Sequence, residues 1–264
     1  MKTGIALWLF PEMTLPENIA FFAGKNFEAV SLVGRHVEQL AGETGDRIVH
    51  LLELHHLALT VHHKLPDPED ADARERFGRD VEMLRRWHGD HRLLTGLTFD
   101  MPKNRGQLLD DLRHVLETFA DTDIFICCED FPLNEEQRLL LDGLDETYPN
   151  LGILIDLGHL NLRVTKEDPE QDMAAAVRRH LRAVPLTIRE LHVHNNDGLS
   201  DQHQRLGVGT LPVEAAAAQL REIGFDGIST TEFVPEWNDI HGREAYDLAI
   251  DAARQWELLL GDNA

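Results

Sequence analysis

The 264-residue chain carries 47 acidic against 25 basic side chains, a formal charge of −22, with lysine only at Lys2, Lys25, Lys64, Lys103 and Lys166. Such a surface repels nucleic acid and anionic membranes, and no run approaches the roughly 18 apolar residues of a membrane span. The length suits one α/β barrel of about 250 residues, so residues 1–264 are expected to form a single domain, soluble and cytoplasmic by default.

The chain opens with Met1-Lys2-Thr3-Gly4 running into the apolar stretch Ile5 to Phe10, which Pro11 ends within a strand's length. This reads as a first strand, Gly4 to Leu9, and not as an export leader. Short apolar runs then alternate with longer segments of helical period, the pattern of repeated βα units around a parallel sheet. A helix is expected from Leu15 to Gly24, a strand from Ala29 to Val33, a polar segment from Arg35 to Arg47 with room for an extra turn, and a strand from Ala58 to His62. Next come a helix from Asp72 to Trp87, a strand from Leu93 to Phe99, a helix from Asn104 to Ala120 and a strand from Ile124 to Cys128. A helix from Glu135 to Thr147 has Asn134 at its cap and acids in its first turn. A strand from Gly152 to Asp156, a helix from Gln171 to Ala183 and a strand from Glu190 to His194 follow. Pro212 starts a helix that runs to Ile223, and a strand from Ile228 to Glu232 and a helix from Glu244 to Leu259 complete the series. Eight strands predict a (β/α)8 barrel, whose active site lies at the C-terminal ends of the strands.

Counting the strands turns scattered polar residues into a place. His62, Asp100, Glu129, Asp156, His194 and Glu232 fall at or one residue beyond the ends of strands 3 to 8. Singly, each has a plain reading: Glu129 as a strand-end acid in a salt bridge, Asp156 as a helix cap, His192 and His194 as satisfied core histidines. Jointly, Glu129, Asp156, His194 and Glu232 place three carboxylates and one imidazole around a single mouth. Converging negative charges at low dielectric repel one another and push their pKa values up. A bound dication removes the conflict. The oxygen-rich set suits Mn²⁺, Mg²⁺, Co²⁺ or Zn²⁺ and excludes a thiolate-type structural zinc site. Downstream, Asp201 and His203 offer a further oxygen and nitrogen before Gly207-Val208-Gly209. Trp8, Phe10, Phe131 and Trp237 are candidates to wall the pocket.

At these residues the chain resembles the xylose-isomerase-like TIM barrel superfamily, which holds sugar isomerases and epimerases, inosose dehydratases and the endonuclease IV family. The most specific pieces are Asp156-Leu157-Gly158-His159, the run from His192 to Gly209 containing Asp201-x-His203, and Gly224-Phe225-Asp226-Gly227 leading to Glu232. The resemblance implies one divalent metal held by Glu129, Asp156, His194 and Glu232, with His159 as a substrate-contacting or second-metal histidine. It also implies a second-metal or substrate-binding role for His62, Asp201 and His203. The activity expected is isomerisation or epimerisation of a small sugar or hydroxy-ketone. Glu129 and Glu232 would exchange the carbon-bound proton and a metal-stabilised enediolate would form between them. An endonuclease-IV-like phosphodiesterase is the alternative from another class, although Asp100 stands where that branch has histidine and the acidic surface opposes DNA. Dehydration of an inosose-like ring is open to the same residues, as is assembly into a homo-oligomer.

Overall fold

The computed structural model describes residues 1–67, 69–100, 105–129, 144, 147–167 and 171–261. Eight parallel strands close on themselves in sequence order, with β1 pairing both β2 and β8. They are β1 (Lys2–Ala6), β2 (Ala29–Val33), β3 (Ala58–His63), β4 (Leu94–Asp100), β5 (Phe125–Glu129), β6 (Leu151–Asp156), β7 (Ile188–Val193) and β8 (Ile228–Thr231). Around them lie α1 (Leu15–Ala23), α2 (Gly42–His55), α3 (Ala71–His91), α4 (Arg105–Thr118), α5 (Leu157–Glu167), α6 (Met173–Arg182), α7 (Val213–Glu222) and α8 (Gly242–Gly261). The expected helix from Glu135 to Thr147 falls almost wholly outside the described residues, as does Phe131.

Local sequence accounts for the helix starts. The Thr14 amide donates to Glu17 at 2.9 Å, while Asp70 and Asp172 accept from the amides of Ala73 and Ala175. Each such cap is worth about 1 kcal/mol. Helix α6 turns Ala176, Val177 and Leu181 inward and leaves Arg178, Arg179 and Arg182 exposed. Helix α8 buries Tyr246, Ile250 and Trp256 against the barrel. Each large apolar side chain taken from water in this outer layer contributes about 1.5–3 kcal/mol.

Inside the barrel the strands stack three unlike levels. At the N-terminal end Ala29, Ala58 and Ile228 pack with Phe125, a small apolar plug separate from the main core. Gly96 is required there, because a Cβ at that position would collide with the Phe125 ring. Above the plug the carboxylate of Glu190, fully buried, accepts from the hydroxyls of Thr230 (2.7 Å) and Thr60 (3.1 Å), and the Ser31 hydroxyl lies 2.9 Å from that of Thr60. Two residues further along β7, on the same face by alternation, His192 begins the level that opens at the mouth.

The elements depart from expectation at three places. The first strand ends at Ala6 because Leu7–Leu9 winds into a 3₁₀ turn. The polar segment holds the expected extra turn, Gly34–Leu40, and then a full helix, α2. Helix α5 follows β6 without a loop, so no turn residues mark its start in the sequence.

Candidate metal centre and active site

The register of the strands brings the polar strand-end residues together. Asp100 pairs with Glu129, Val33 with His62, and Asp156 with His192 across neighbouring strands. His194 lies one residue beyond β7 and Glu232 one beyond β8, where the Glu232 amide still donates to the Val193 carbonyl at 3.1 Å. Glu129, Asp156, His192, His194, His203 and Glu232 are all buried.

Glu129 is the hub of one side. Its Oε2 is 3.3 Å from His62 Nε2, and its Oε1 is 3.4 Å from His159 Nδ1 and 3.8 Å from His192 Nδ1. His62 Nε2 also meets Asp100 at 2.8 Å, and its Nδ1 lies 2.9 Å from the Thr98 hydroxyl. Asp156 serves two purposes. One oxygen accepts the His159 amide at 2.8 Å, capping the first turn of α5, and both oxygens lie about 3 Å from His194 Nε2. The helix-cap reading is therefore correct, and it coexists with a place in the cluster. Gly158 allows this, since any Cβ there would collide with the His194 ring.

His194 stacks on His203 with centroids 3.7 Å apart and planes 9° from parallel. His203 sits at a positive φ of 43°, its Nδ1 3.0 Å from the Glu232 carbonyl and its Nε2 3.3 Å from Asp201. Asp201 also meets His159 Nε2 at 3.4 Å. The loop carrying Asp201 and His203 is fixed by amides: Asn195 bridges Gln204 through the backbone and donates its side chain to Leu206, while Asn196 donates to Gly158 at 2.9 Å. His192 was expected only as a core histidine. Its Nδ1 lies 3.1 Å from Glu232 Oε2 and 3.8 Å from Glu129 Oε1. The signal for it was present: His192 and His194 share a strand face two residues apart.

Electrostatically the cluster is a set of carboxylates competing for protons held on imidazoles. Burial pushes the Asp156 carboxyl up, but the charges of His194 and His159 outweigh it and hold the group well below the carboxylate range. Glu232 is held down by His192 against the same burial, and Asp201 by hydrogen bonds from His159 and His203. The Asp156 charge lifts His159 to about 12. Burial lowers His192 and His203, yet Glu232 brings the first back up to about 10, and Asp201 with Glu232 the second to about 9.

Ligand atoms of Glu129, Asp156 and His159 lie within 4.8 Å of one another, as do those of Asp156, His192 and Glu232, and of His194, His203 and Glu232. His62, Glu129 and His192 form a further such group, and His159, Asp201 and His203 another. The four expected ligands are thus linked through overlapping triads. All these donors are oxygen or nitrogen. Cys127 and Cys128 contribute nothing, because burial pushes both thiols up, the second to about 12.

Residues 20–256 match the xylose isomerase-like TIM barrel family. The chain belongs to that family. An uncharacterized protein of Methanocaldococcus jannaschii is 25% identical over 252 residues, covering 88% of this chain and 83% of the relative. Solved structures agree in fold. A D-psicose 3-epimerase crystallised in the presence of D-fructose has a TM-score of 0.71 at 16% identity, covering 99% of this chain and all (100%) of its own. The IOLI protein with a bound zinc atom has a TM-score of 0.73 at 14% identity, covering 100% and 99%. Membership of the family is consistent with the absence, among the described residues, of any helix long and apolar enough to cross a membrane.

Proposed function

We propose that the protein is a divalent-metal-dependent isomerase or epimerase of a small sugar or hydroxy-ketone. One observation carries this reading: Glu129 and Glu232, both buried, flank the same nitrogen of His192 at 3.8 and 3.1 Å, at the end of the barrel where the family's fold places chemistry. The D-psicose 3-epimerase and zinc-bearing IOLI structures lend support through the shared fold.

The donor set fits a dication. His192 Nε2 is buried without a hydrogen-bond partner among the described residues, and its Nδ1 has the Glu232 carboxylate at 3.1 Å, so the buried acids here are met by imidazoles that a cation among the carboxylates would relieve. Glu129, Asp156, His194 and Glu232 would hold it; Mn²⁺, Mg²⁺, Co²⁺ and Zn²⁺ all accept such ligands. A second ion on His159, Asp201 and His203 is compatible with their spacing. When bound, the metal supplies Lewis-acid stabilisation of negative charge on adjacent substrate oxygens.

The chain's own residues do the rest. One of Glu129 and Glu232 takes a proton from the substrate carbon and the other returns one, which inverts that carbon if the two act from opposite faces. His159, within reach of Glu129 and Asp201, orients a substrate hydroxyl. Burial of both glutamates excludes water from the carbon being deprotonated.

The second reading, a phosphodiesterase of the endonuclease IV kind, is favoured by one observation: His62 and the His159, Asp201, His203 group flank the central carboxylates at ligand spacing. The charge of −22 opposes it. One experiment separates the two. The metal-loaded protein should exchange a carbon-bound proton of at least one small ketose or inosose with solvent deuterium, and should leave abasic-site DNA intact. Glu129→Gln or Glu232→Gln should slow exchange by about 10²–10⁴-fold. DNA cleavage abolished by those substitutions, with no exchange on a broad sugar panel, would replace the isomerase reading with the second.

A further inference from the structure

We propose that His62, although it stands among the candidate ligands, keeps a proton on its Nε2 and serves as a positioning residue, tying Glu129 to Asp100 without itself binding the metal. The proposal rests on the reading of the mouth as a metal centre and divides its histidines into those that offer a lone pair to the ion and one that does not.

A neutral imidazole has one N–H and one lone pair, and which nitrogen is left for a metal is set by what the other one meets. His194 and His203 follow one pattern. Their Nδ1 atoms lie 3.5 and 3.0 Å from the backbone carbonyls of Asn195 and Glu232. A carbonyl only accepts, so each Nδ1 must donate, and each Nε2 keeps its lone pair for an ion.

His62 is held the opposite way. Thr98 sits across from it in the β3–β4 register, and Asp100, two residues further on the same face, pairs with Glu129 of β5. Thr98 and Asp100 grip both ends of the ring: Nδ1 lies 2.9 Å from the Thr98 hydroxyl and Nε2 lies 2.8 Å from Asp100 Oδ1. Thr98 is fully buried, and its hydroxyl has no other hydrogen-bond partner among the described residues. A buried O–H left without an acceptor is costly, so it donates to Nδ1 and the ring proton resides on Nε2. That nitrogen then has no lone pair to give.

The carboxylates require the same assignment. Ionised, Asp100 and Glu129 only accept, and Glu129 Oε2 lies 3.3 Å from the Nε2 that Asp100 also meets. A proton between the acids of two paired residues relieves their repulsion and restrains Glu129 from the side away from Oε1. Oε1, turned toward His159 and His192, is left for the metal. His62 does stand at ligand spacing from Glu129 and His192; its tautomer, and not its distance, excludes it. The phosphodiesterase reading thereby loses one of the nitrogens that favoured it.

NMR of nitrogen-labelled protein loaded with spin-active cadmium, standing in for the native dication, tests this. His62→Gln assigns the ring signal by its loss. The His62 ring should keep Nε2 protonated before and after loading and show no coupling to cadmium, whereas the His194 ring should couple through Nε2. Calorimetric titration with Zn²⁺ gives an independent readout. His62→Ala should weaken binding by about 10–100-fold without changing the number of ions bound, and His62→Gln, whose amide still donates, should recover most of that loss. Coupling of His62 to cadmium, or one ion fewer per chain in both His62 variants, overturns the assignment by making His62 a ligand. Unchanged affinity in His62→Ala overturns it by leaving Glu129 independent of the ring. A wild type that takes up no dication refutes the metal reading instead, while the metal-free spectra still show which nitrogen of His62 carries the proton, so the two fail separately.

Discussion

Two polar levels share the barrel axis and could hardly be more unlike. Around Glu190 a single buried carboxylate is met by the hydroxyls of Thr60 and Thr230, groups that donate without carrying charge. Burial pushes its pKa up, outweighing the opposing pull of the His192 and His62 charges and of the two hydroxyls. At the level of His192, and above it at the mouth, carboxylates are met chiefly by imidazoles, and the pKa values spread apart instead: Asp156, Asp201 and Glu232 down, His159, His192 and His203 up. A lone acid among hydroxyls stabilises a wall of the barrel. On the proposed reading, acids balanced largely by imidazolium protons would exchange some of those protons for a metal ion.

The comparison predicts its largest effect on adding metal. His159, His192 and His203 have folded pKa values above the ordinary 6.5, so their stabilising contribution is complete below 6.5 and is lost as pH rises through about 9 to 12. Asp156 and Asp201 lie below 3.8 and Glu232 below 4.5, so theirs is present above those values and lost as pH falls. At neutral pH the imidazoles therefore hold protons that a dication must displace. Metal should release protons on binding and raise stability by about 2.7 kcal/mol at a hundredfold excess over Kd, with the gain growing from pH 6 to pH 8. Denaturation with and without metal across that range checks this. A gain independent of pH would mean that the imidazoles do not take part.

A smaller effect is expected at Glu190. Glu190→Ala should cost about 1–3 kcal/mol by leaving buried hydroxyls unpaired, with metal content unchanged. Because its folded pKa is raised, the Glu190 contribution is complete below the ordinary 4.5 and is lost as pH rises through the folded value. Glu190→Gln removes that loss, so the variant should gain on the wild type as pH increases from 4 to 8. Loss of bound metal in Glu190→Gln would break the division between the two levels.

Most of the scaffold was legible in the sequence because parallel strands buried on both faces show as apolar runs. Val30, Leu32, Leu59, Val61, Ile126, Ile153 and Ile155 are all buried in the strands where those runs placed them. The mouth was legible for a related reason. Runs such as Gly152 to Ile155 end on a charged residue, and that end is where the chain leaves the core. What the sequence hid depends on contacts between distant segments. His192 looks the same in sequence whether it meets apolar walls or, as here, two glutamates from β5 and the end of β8. Helix α2 was hidden by its polar opening: Gly42, at a positive φ of 62°, and Gly45, which lies against Leu40, are helix-poor residues that the tertiary contact makes favourable. The stacking of His194 on His203 leaves no periodic trace either.

The most direct test of the metal centre is the metal content of purified, reconstituted protein by elemental analysis, wild type beside Glu129→Gln, Glu232→Gln and Asp201→Ala plus His203→Ala. The account predicts about one tightly held dication per chain in the wild type, its loss from either glutamine variant with the fold retained, and one ion remaining in the alanine double variant. A reconstituted wild type containing no metal would contradict it, and complete loss of metal from the alanine double variant would move the site to the loop after β7.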